Sequence, residues 1–442
     1  MSSCVRFISN TTSTKHFDVI VSGGGMIGTA LSCLLAQTPS LSSHKILLLE
    51  SNKPKQWSLS PAYSNRVSSV NEATKHLMES IGAWEHISKA RFKPVMNMKV
   101  WDCSGAKVEF NNDNSTDPVA YIVENDILVD SVEKELKKAD NVTVMNDTRV
   151  EEYTLPKHGN EEVQLRLTDG STVTCNLLVG ADGANSAVRK AMGVQYVSWK
   201  YNQTAVVATL KLAEGSQNDT AWQRFLHSGP VALLPLTNEL TSLVWSTSLE
   251  EAKRLLKLPN DSFVDALNDA LWKEPVRSEV VTAVSSVARR VLGLVESTAP
   301  SSSPQPPNVA SVVDSSRAAF PLAFGHAASY VAQAVALVGD AAHKVHPLAG
   351  QGVNLGYGDI KCLVDQLDQA AHLGKPLGHI GTLREYERLR QAHNLPLMMA
   401  IDLMARVYST TNPVLLAAGN VALQVADSLS PIKTMMRNRA AS

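Results

Sequence analysis

The stretch FDVIVSGGGMIGTALSCLLAQ, Phe17 to Gln37, decides the fold. Phe17 to Val21 is a run of apolar and β-branched residues, three glycines follow, and a helical pattern begins at Met26. Gly23-x-Gly25-x-x-Gly28 therefore falls directly after a strand and opens a helix. A dinucleotide site needs that spacing. The first glycine makes the tight turn, the second lets backbone approach a pyrophosphate, and the third lets helix pack on strand. The helix start then faces the phosphates with unpaired N–H groups and a favourable dipole. KILLLE, Lys45 to Glu50, reads as a second buried strand and completes a βαβ unit. Glu50 ends it, placed to accept the hydroxyls of an adenosine ribose. The rival reading is a glycine turn with only a structural role. The βαβ unit by itself does not separate FAD from NAD.

The chain has 442 residues, enough for two domains or one two-lobed unit, and 44% of them are hydrophobic, so a large core is available. A formal net charge of −1 gives no reason to expect nucleic acid. The cysteines Cys4, Cys33, Cys103, Cys175 and Cys362 are scattered, with no C-x-x-C pair, and read as reduced thiols. No apolar run approaches the roughly 20 residues of a spanning helix. MSSCVRFISNTTSTKH carries Arg6 and Lys15, much Ser and Thr, and no acid before Asp18. It suits a mitochondrial targeting segment or a disordered tail.

Further along, NLLVGADG (Asn176 to Gly183) and VALVGDAA (Val335 to Ala342) each read as a strand running into a turn. Between them AVVATLKL, GPVALLPL and TSLVWSTS read as strands without intervening helices, which points to an antiparallel or mixed sheet in a second lobe. ESTAPSSSPQPPN, Glu296 to Asn308, is a loop by composition, and after Leu383 the pattern is helical.

Two more motifs complete the pattern: GADGANSAVR (Gly180 to Arg189) and GDAAHKVHPLAGQGVNLGYGD (Gly339 to Asp359). Together with the βαβ fingerprint, they resemble the class A flavoprotein monooxygenases, aromatic-ring hydroxylases of the p-hydroxybenzoate hydroxylase fold. The third motif, with SNRVSSV, YIVEND, WQRFL and SLVWSTS, is most similar to the ubiquinone-biosynthesis branch and its eukaryotic mitochondrial ring C5-hydroxylases. The resemblance covers nearly all of the chain after the first fifteen residues.

The resemblance implies an α/β fold: an FAD-binding Rossmann-like domain interleaved with a mixed or antiparallel-sheet substrate domain, and a helical C-terminus. It implies an FAD domain over residues 16–90, 121–195 and 333–400, a substrate domain over 91–120 and 196–332, and a C-terminal segment over 401–442, after a targeting segment or tail at 1–15. FAD would be held by Gly23, Gly25, Gly28, Glu50, Arg66, Asp182, Gly339, Asp340, Gly350, Gln351, Gly352 and Asn354. Asp340 would accept a ribityl hydroxyl, and Arg66 would lie near the flavin and its phosphates. Asn354 would meet the pyrimidine edge. Asp182 and Arg189 resemble residues that support FAD and the approach of a nicotinamide. Pro347 and Gly350 would flank the isoalloxazine, and the helix starting there would favour the anionic reduced flavin. For each glycine the plain alternative is an ordinary helix cap.

The reaction implied is hydroxylation, through a flavin hydroperoxide, of a polyprenylated 4-hydroxybenzoate-derived phenol at C5. The cofactor supplies that chemistry, so no catalytic side chain is assigned. His343 and His346 lack further ligands at metal-site spacing, and no metal is expected. Substrate contacts are expected near Trp222, Phe225, Leu233 and Pro321. The implied partners are dioxygen and NADPH, directly or through ferredoxin reductase and ferredoxin. Other ubiquinone-biosynthesis proteins and a peripheral contact with the mitochondrial inner membrane, matrix side, would complete the set, with Lys433, Arg437 and Arg439 toward the lipid. The alternatives are an FAD hydroxylase of a small soluble phenol, a flavin dehydrogenase, and a catalytically silent flavoprotein scaffold.

Overall fold

The computed structural model describes residues 14–54, 57–103, 107–111, 117–157, 161–213, 217–273 and 305–408. Arg6, most of the Ser/Pro-rich stretch, and Lys433, Arg437 and Arg439 lie outside the described residues.

The glycine-rich stretch forms β1 (Lys15–Ser22), turns at Gly23 to Gly25, and continues as α1 (Met26–Gln37). The second strand, β2 (Ile46–Leu49), is buried at all four positions. Burying one such side chain is worth about 1.5–3 kcal/mol, so an apolar run with no polar alternation belongs inside the sheet. β1 lies between β2 and the strand Thr172–Gly180, parallel to both, and Val142–Met145 extends the sheet beyond β2. Val335–Leu337 adds in parallel on the other side of Thr172–Gly180. Antiparallel strands at Val150–Thr154, Val163–Leu167 and Val331–Ala332 bring this sheet to eight strands among the described residues.

A second sheet, of nine strands among the described residues, centres on the 17-residue strand Tyr196–Leu212, paired antiparallel with Leu240–Ser248 and Ala318–Ala327. Asn97–Asp102 and Lys107–Asn111 join this sheet, the former parallel to Thr220–Leu226. The helices Leu249–Lys257 and Asn260–Trp272 cover one face: Ala252, Leu255, Phe263 and Leu267 pack on Val206, Ala208, Val231, Leu243 and Trp245. Ser248 starts the first of these helices by accepting the N–H of Glu251, which satisfies one unpaired donor of the opening turn. A small antiparallel sheet of Val67–Val70, Ala120–Glu124 and Lys93–Val95 lies beside both.

Two long helices complete the described chain, Gln351–His372 and Ile380–Tyr408. The second keeps its course through Pro396, which has no N–H to give the carbonyl one turn earlier. Its last turns reach the nine-stranded sheet, where Ile401, Ala405 and Tyr408 pack with Phe225, Val100 and Leu348. The architecture is the expected α/β arrangement, with a Rossmann-like parallel sheet, a mixed second sheet and helices toward the C-terminus.

Candidate functional site

Register brings the three motifs into one row. Ser22 pairs with Leu49 and with Gly180, and Gly180 pairs with Leu337. These residues are level across four neighbouring parallel strands. The residues that come next in each strand are therefore level too: Glu50, Gly23, Ala181-Asp182 and Val338-Gly339-Asp340. Ligands of open parallel sheets sit at this carboxyl edge.

Each glycine of the first motif meets a different demand. Gly23 has φ +111, and a Cβ there would lie 2.5 Å from the carbonyl oxygen of Ala181, so the turn closes directly against the second motif. At Gly28 a Cβ would lie 1.8 Å from the Gly23 carbonyl oxygen, which is how α1 packs onto the strand end. Beyond its own chain neighbours, no described residue has an atom within 4 Å of a Cβ at Gly25. That position is open, as an approach surface for a ligand must be. α1 has no acid in its first turn, so its positive end faces the opening uncompensated. Glu50 accepts the Gly24 N–H at 2.8 Å with one carboxylate oxygen and the Asn52 N–H at 2.7 Å with the other. These bonds fix the carboxylate beside the glycine turn.

In the second motif, one oxygen of Asp182 accepts the N–H groups of Ala187 and Val188 at 2.7 and 3.2 Å. Its Oδ1 is buried with no partner. Arg189 is buried, donates to the carbonyls of Ala341 and Ala184 at 2.7 Å each, and lies 3.7 Å over the Tyr196 ring. It binds the second motif to the third.

The third motif is a turn, Gly339–Ala341, followed by Pro347 and a second turn at Leu348–Gly350. Gly339 and Gly350 adopt φ +58 and +63, a region that favours glycine. A Cβ on Gly350 would lie 2.9 Å from the Cβ of Ser69, so this turn packs on the strand that follows Arg66. Arg66 is exposed there. Gly350 caps the helix that Gln351 and Gly352 begin, again with no acid in the first turn. Among the described residues, a Cβ on Gly352 would meet Val345 alone, at 3.6 Å. Asp340 is exposed at the end of this turn, with protein crowded around its carboxyl. The surrounding protein pushes its carboxyl above the ordinary value, while His343 and Lys344 pull the other way.

Asn354 has a different surrounding from the one the sequence suggested. It is buried, its oxygen accepts the Asn71 N–H at 3.1 Å and the Thr74 hydroxyl at 2.9 Å, and its NH2 donates to the Ser69 carbonyl at 2.9 Å. The amide joins the helix start to the 69–74 segment. His343 hydrogen-bonds Asp359 at 2.5 Å. His346 accepts the Leu348 N–H at 3.3 Å and reaches Gln203 at 3.3 Å. Among the described residues no group of three His, Cys, Asp or Glu stands close enough for a metal.

Of the four residues expected near a substrate, two point elsewhere. Leu233 is in the core beneath the covering helices, and Trp222 packs against that core. Both share a face with Val231 and Trp245, turned away from Pro347. Pro321 is exposed. Phe225 does face the third motif: it stacks on Tyr408 with centroids 4.0 Å apart and packs with Leu348. Beside it lie residues that sequence reasoning missed. Tyr201 meets the His346 ring edge-on at 5.0 Å and donates to Asp402 at 2.8 Å, and Trp199 donates to the same carboxylate at 3.1 Å. Their signal in sequence was alternation: 199, 201 and 203 share one face of a long strand.

The arrangement suits FAD. The set of groups is of the kind FAD needs: an open glycine cradle at a helix start, a fixed carboxylate at the neighbouring strand end, an orphaned Asp182 oxygen and an exposed Asp340 carboxylate. Known proteins agree. The FAD binding domain family matches residues 16–289 and 307–394. The chain is 46% identical over 432 residues to the mitochondrial ubiquinone biosynthesis monooxygenase COQ6 of Xenopus tropicalis, covering 96% of this chain and 93% of that protein. It is 46% identical over 433 residues to COQ6 of Homo sapiens, covering 96% and 92%. Among solved structures, PqsL, a probable FAD-dependent monooxygenase from Pseudomonas aeruginosa, superposes with a TM-score of 0.68 at 22% identity, covering 92% of this chain and all of that one. The p-nitrophenol 4-monooxygenase PnpA of Pseudomonas putida gives 0.67 at 17%, covering 97% and 99%. At such identities these two speak for the fold.

Proposed function

Since the chain belongs to the COQ6 family of FAD-dependent monooxygenases, within the wider FAD binding domain family, we propose that it hydroxylates the ring of a polyprenylated 4-hydroxybenzoate-derived phenol at C5 during ubiquinone biosynthesis. The observation that carries this reading is the 46% identity running through 96% of the chain, so that both sheets and all three motifs fall within it.

FAD, when bound, supplies the activation of dioxygen and the transfer of one oxygen atom to the ring. The protein's own part is to bind, orient and exclude water. Backbone at Gly25 and the start of α1 receive the pyrophosphate, Glu50 the ribose and Asp340 the ribityl chain. Gly23, Gly28, Gly339, Gly350 and Gly352 give the backbone its close approach, while Arg66 and Asp182 add charge at the rim. The helix starting at Gln351 favours negative charge on the cofactor's pyrimidine side, and Asn354 holds that helix in place. The ring would lie between the turn at Pro347 and the sheet face carrying Phe225, where Leu348, Ile401 and Tyr408 keep the wall apolar. Such a wall lowers the local dielectric and keeps water from the reacting oxygen.

The same reading puts the protein at the matrix side of the mitochondrial inner membrane, peripherally, with reducing equivalents from NADPH directly or through a ferredoxin chain, and with other proteins of the pathway nearby. The compartment rests on the relatives, which are named mitochondrial, and the membrane contact on a substrate too apolar to diffuse freely. No helix among the described residues is long and apolar enough to cross a membrane.

The test is mass spectrometry of quinone precursors in cells lacking the protein, and again after its return. Accumulation of a prenylated phenol unoxidised at C5, cleared on return, supports the proposal. A normal quinone pool refutes it. With the purified flavoprotein, a reductant and a prenylated phenol, formation of the C5 hydroxyl separates an enzyme from a scaffold.

A further inference from the structure

The third motif ends in Gly358-Asp359, to which the FAD contacts assign no role. Asp359 is completely buried on the helix Gln351–His372, one turn and more beyond the residues that face the cofactor. Its Oδ2 accepts the Gly339 N–H at 2.9 Å and the His343 Nε2 at 2.5 Å. Its Oδ1 accepts Arg390 Nε at 2.8 Å and Asn394 Nδ2 at 3.1 Å, both from the helix Ile380–Tyr408. Arg390 also donates to Asn394 Oδ1 at 2.9 Å and to the Leu355 carbonyl at 3.2 Å. Four donors thus meet one carboxylate, and two of them bracket Asp340, one residue before it and three after.

Two glycines make this possible. A Cβ at Gly358 would lie 2.7 Å from the Arg390 guanidinium, and one at Gly356 would lie 2.8 Å from Ile27 and 3.4 Å from the Gly339 Cα. Gly339 itself holds φ +58, and its N–H points at a side chain rather than at a neighbouring strand. Burial would push the Asp359 carboxyl up, but His343 and Arg390 outweigh it and keep the group ionised, well below the usual range. A charged acceptor makes stronger hydrogen bonds than a neutral one, and a buried network with every member satisfied is rigid.

We propose that Asp359 is a positioning residue for the cofactor. Anchored by Arg390, it grips the turn at Gly339 and His343 from behind and presets the direction of the Asp340 carboxylate. It touches no part of FAD. The benefit lies in preorganisation: Asp340 need not be ordered when the ribityl chain arrives, so affinity rises without a new contact. This inference rests on Asp340 being the ribityl acceptor.

The experiment is a double-mutant cycle on FAD binding, with apoprotein prepared from the full chain and titrated with FAD by flavin fluorescence. Asp340→Ala and Asp359→Asn should each weaken binding, Asp359→Asn by about tenfold. The two together should bind no more weakly than Asp340→Ala alone, because Asp359 acts only through Asp340. A purely structural role would give additive losses. If Asp340→Ala alone keeps full affinity, the assignment of Asp340 falls and the inference with it. If Asp340→Ala weakens binding while Asp359→Asn does not, or the two losses add, the inference alone is overturned. Should Asp359→Asn fold poorly, His343→Leu removes one of the two holds on the turn while leaving Arg390 and the Gly339 N–H on Asp359. The same non-additivity with Asp340→Ala is then expected, and additivity refutes the proposal.

Discussion

Replacing Gly25 by valine separates the fold from the cofactor site more cleanly than any other single change. Gly25 has φ −75 and ψ −173, an extended conformation that valine adopts without strain. Beyond its chain neighbours, a Cβ there meets no atom of a described residue within 4 Å, so the β-carbon itself disturbs no packing. The stability cost is confined to the poorer cap that valine makes at the start of α1, roughly 1 kcal/mol. The apoprotein should therefore fold and melt close to the parent. Binding is another matter. On the proposed reading the branched side chain would occupy the space through which backbone N–H groups reach a pyrophosphate, and each charge-assisted hydrogen bond lost costs about 1.5–3 kcal/mol. One such bond is roughly a ten- to hundredfold loss in affinity for FAD. Thermal melts of the apoprotein and FAD titration by fluorescence measure the two effects independently. A valine variant that retains FAD as tightly as the parent would show that the open cradle does not hold the phosphates.

Gly28→Ala should do the reverse. Its Cβ would stand 1.8 Å from a backbone oxygen, so α1 must withdraw, and overpacking of this kind costs about 1–3 kcal/mol; a lowered apoprotein melting temperature is expected, and an unchanged one would discredit the packing described. The raised Asp340 carboxyl contributes stability that is present below the ordinary carboxyl pKa and lost as pH rises toward the elevated value. Asp340→Asn should abolish that dependence and leave the neutral apoprotein at least as stable, while binding less FAD; an unchanged pH profile in melting experiments argues against it. His346 behaves oppositely. Burial lowers its pKa to about 4 from 6.5, so its contribution, up to about 3 kcal/mol, is lost as pH falls from about 6.5 to about 4. His346→Gln should flatten acid denaturation over that window, and an identical acid limb in both proteins would rule out His346 as its source.

The central strands of the parallel sheet were the most legible part of the chain because they are buried and read as apolar runs, whereas the outer strand Val142–Met145 is largely exposed. The glycine motifs were legible because backbone demands leave few residue choices. The second sheet misled for a related reason. One of its faces is covered by helices and the other packs beside the third motif, so apolar residues alternate with apolar residues, and nothing local says which face holds Leu233 and which holds Phe225. Asn354 fitted a motif but meets its partners in a segment some 280 residues earlier. Asp359 and Arg390 were illegible as a pair for the same reason. They lie 31 residues apart on different helices, and only tertiary packing brings them together.

The helix Ile380–Tyr408 bears on how this protein should be divided for study. The family match stops at residue 394, halfway along that helix. A chain cut at this boundary would keep Arg390 and Asn394 but lose Ile401, Ala405 and Tyr408, baring Phe225 and Leu348 to water. Trp199 and Tyr201 would lose Asp402, the acceptor they share. By family boundaries the module would count as intact, while the nine-stranded sheet would have lost the helix turns that cover Phe225. For this protein the shortest independently useful piece runs at least to Tyr408.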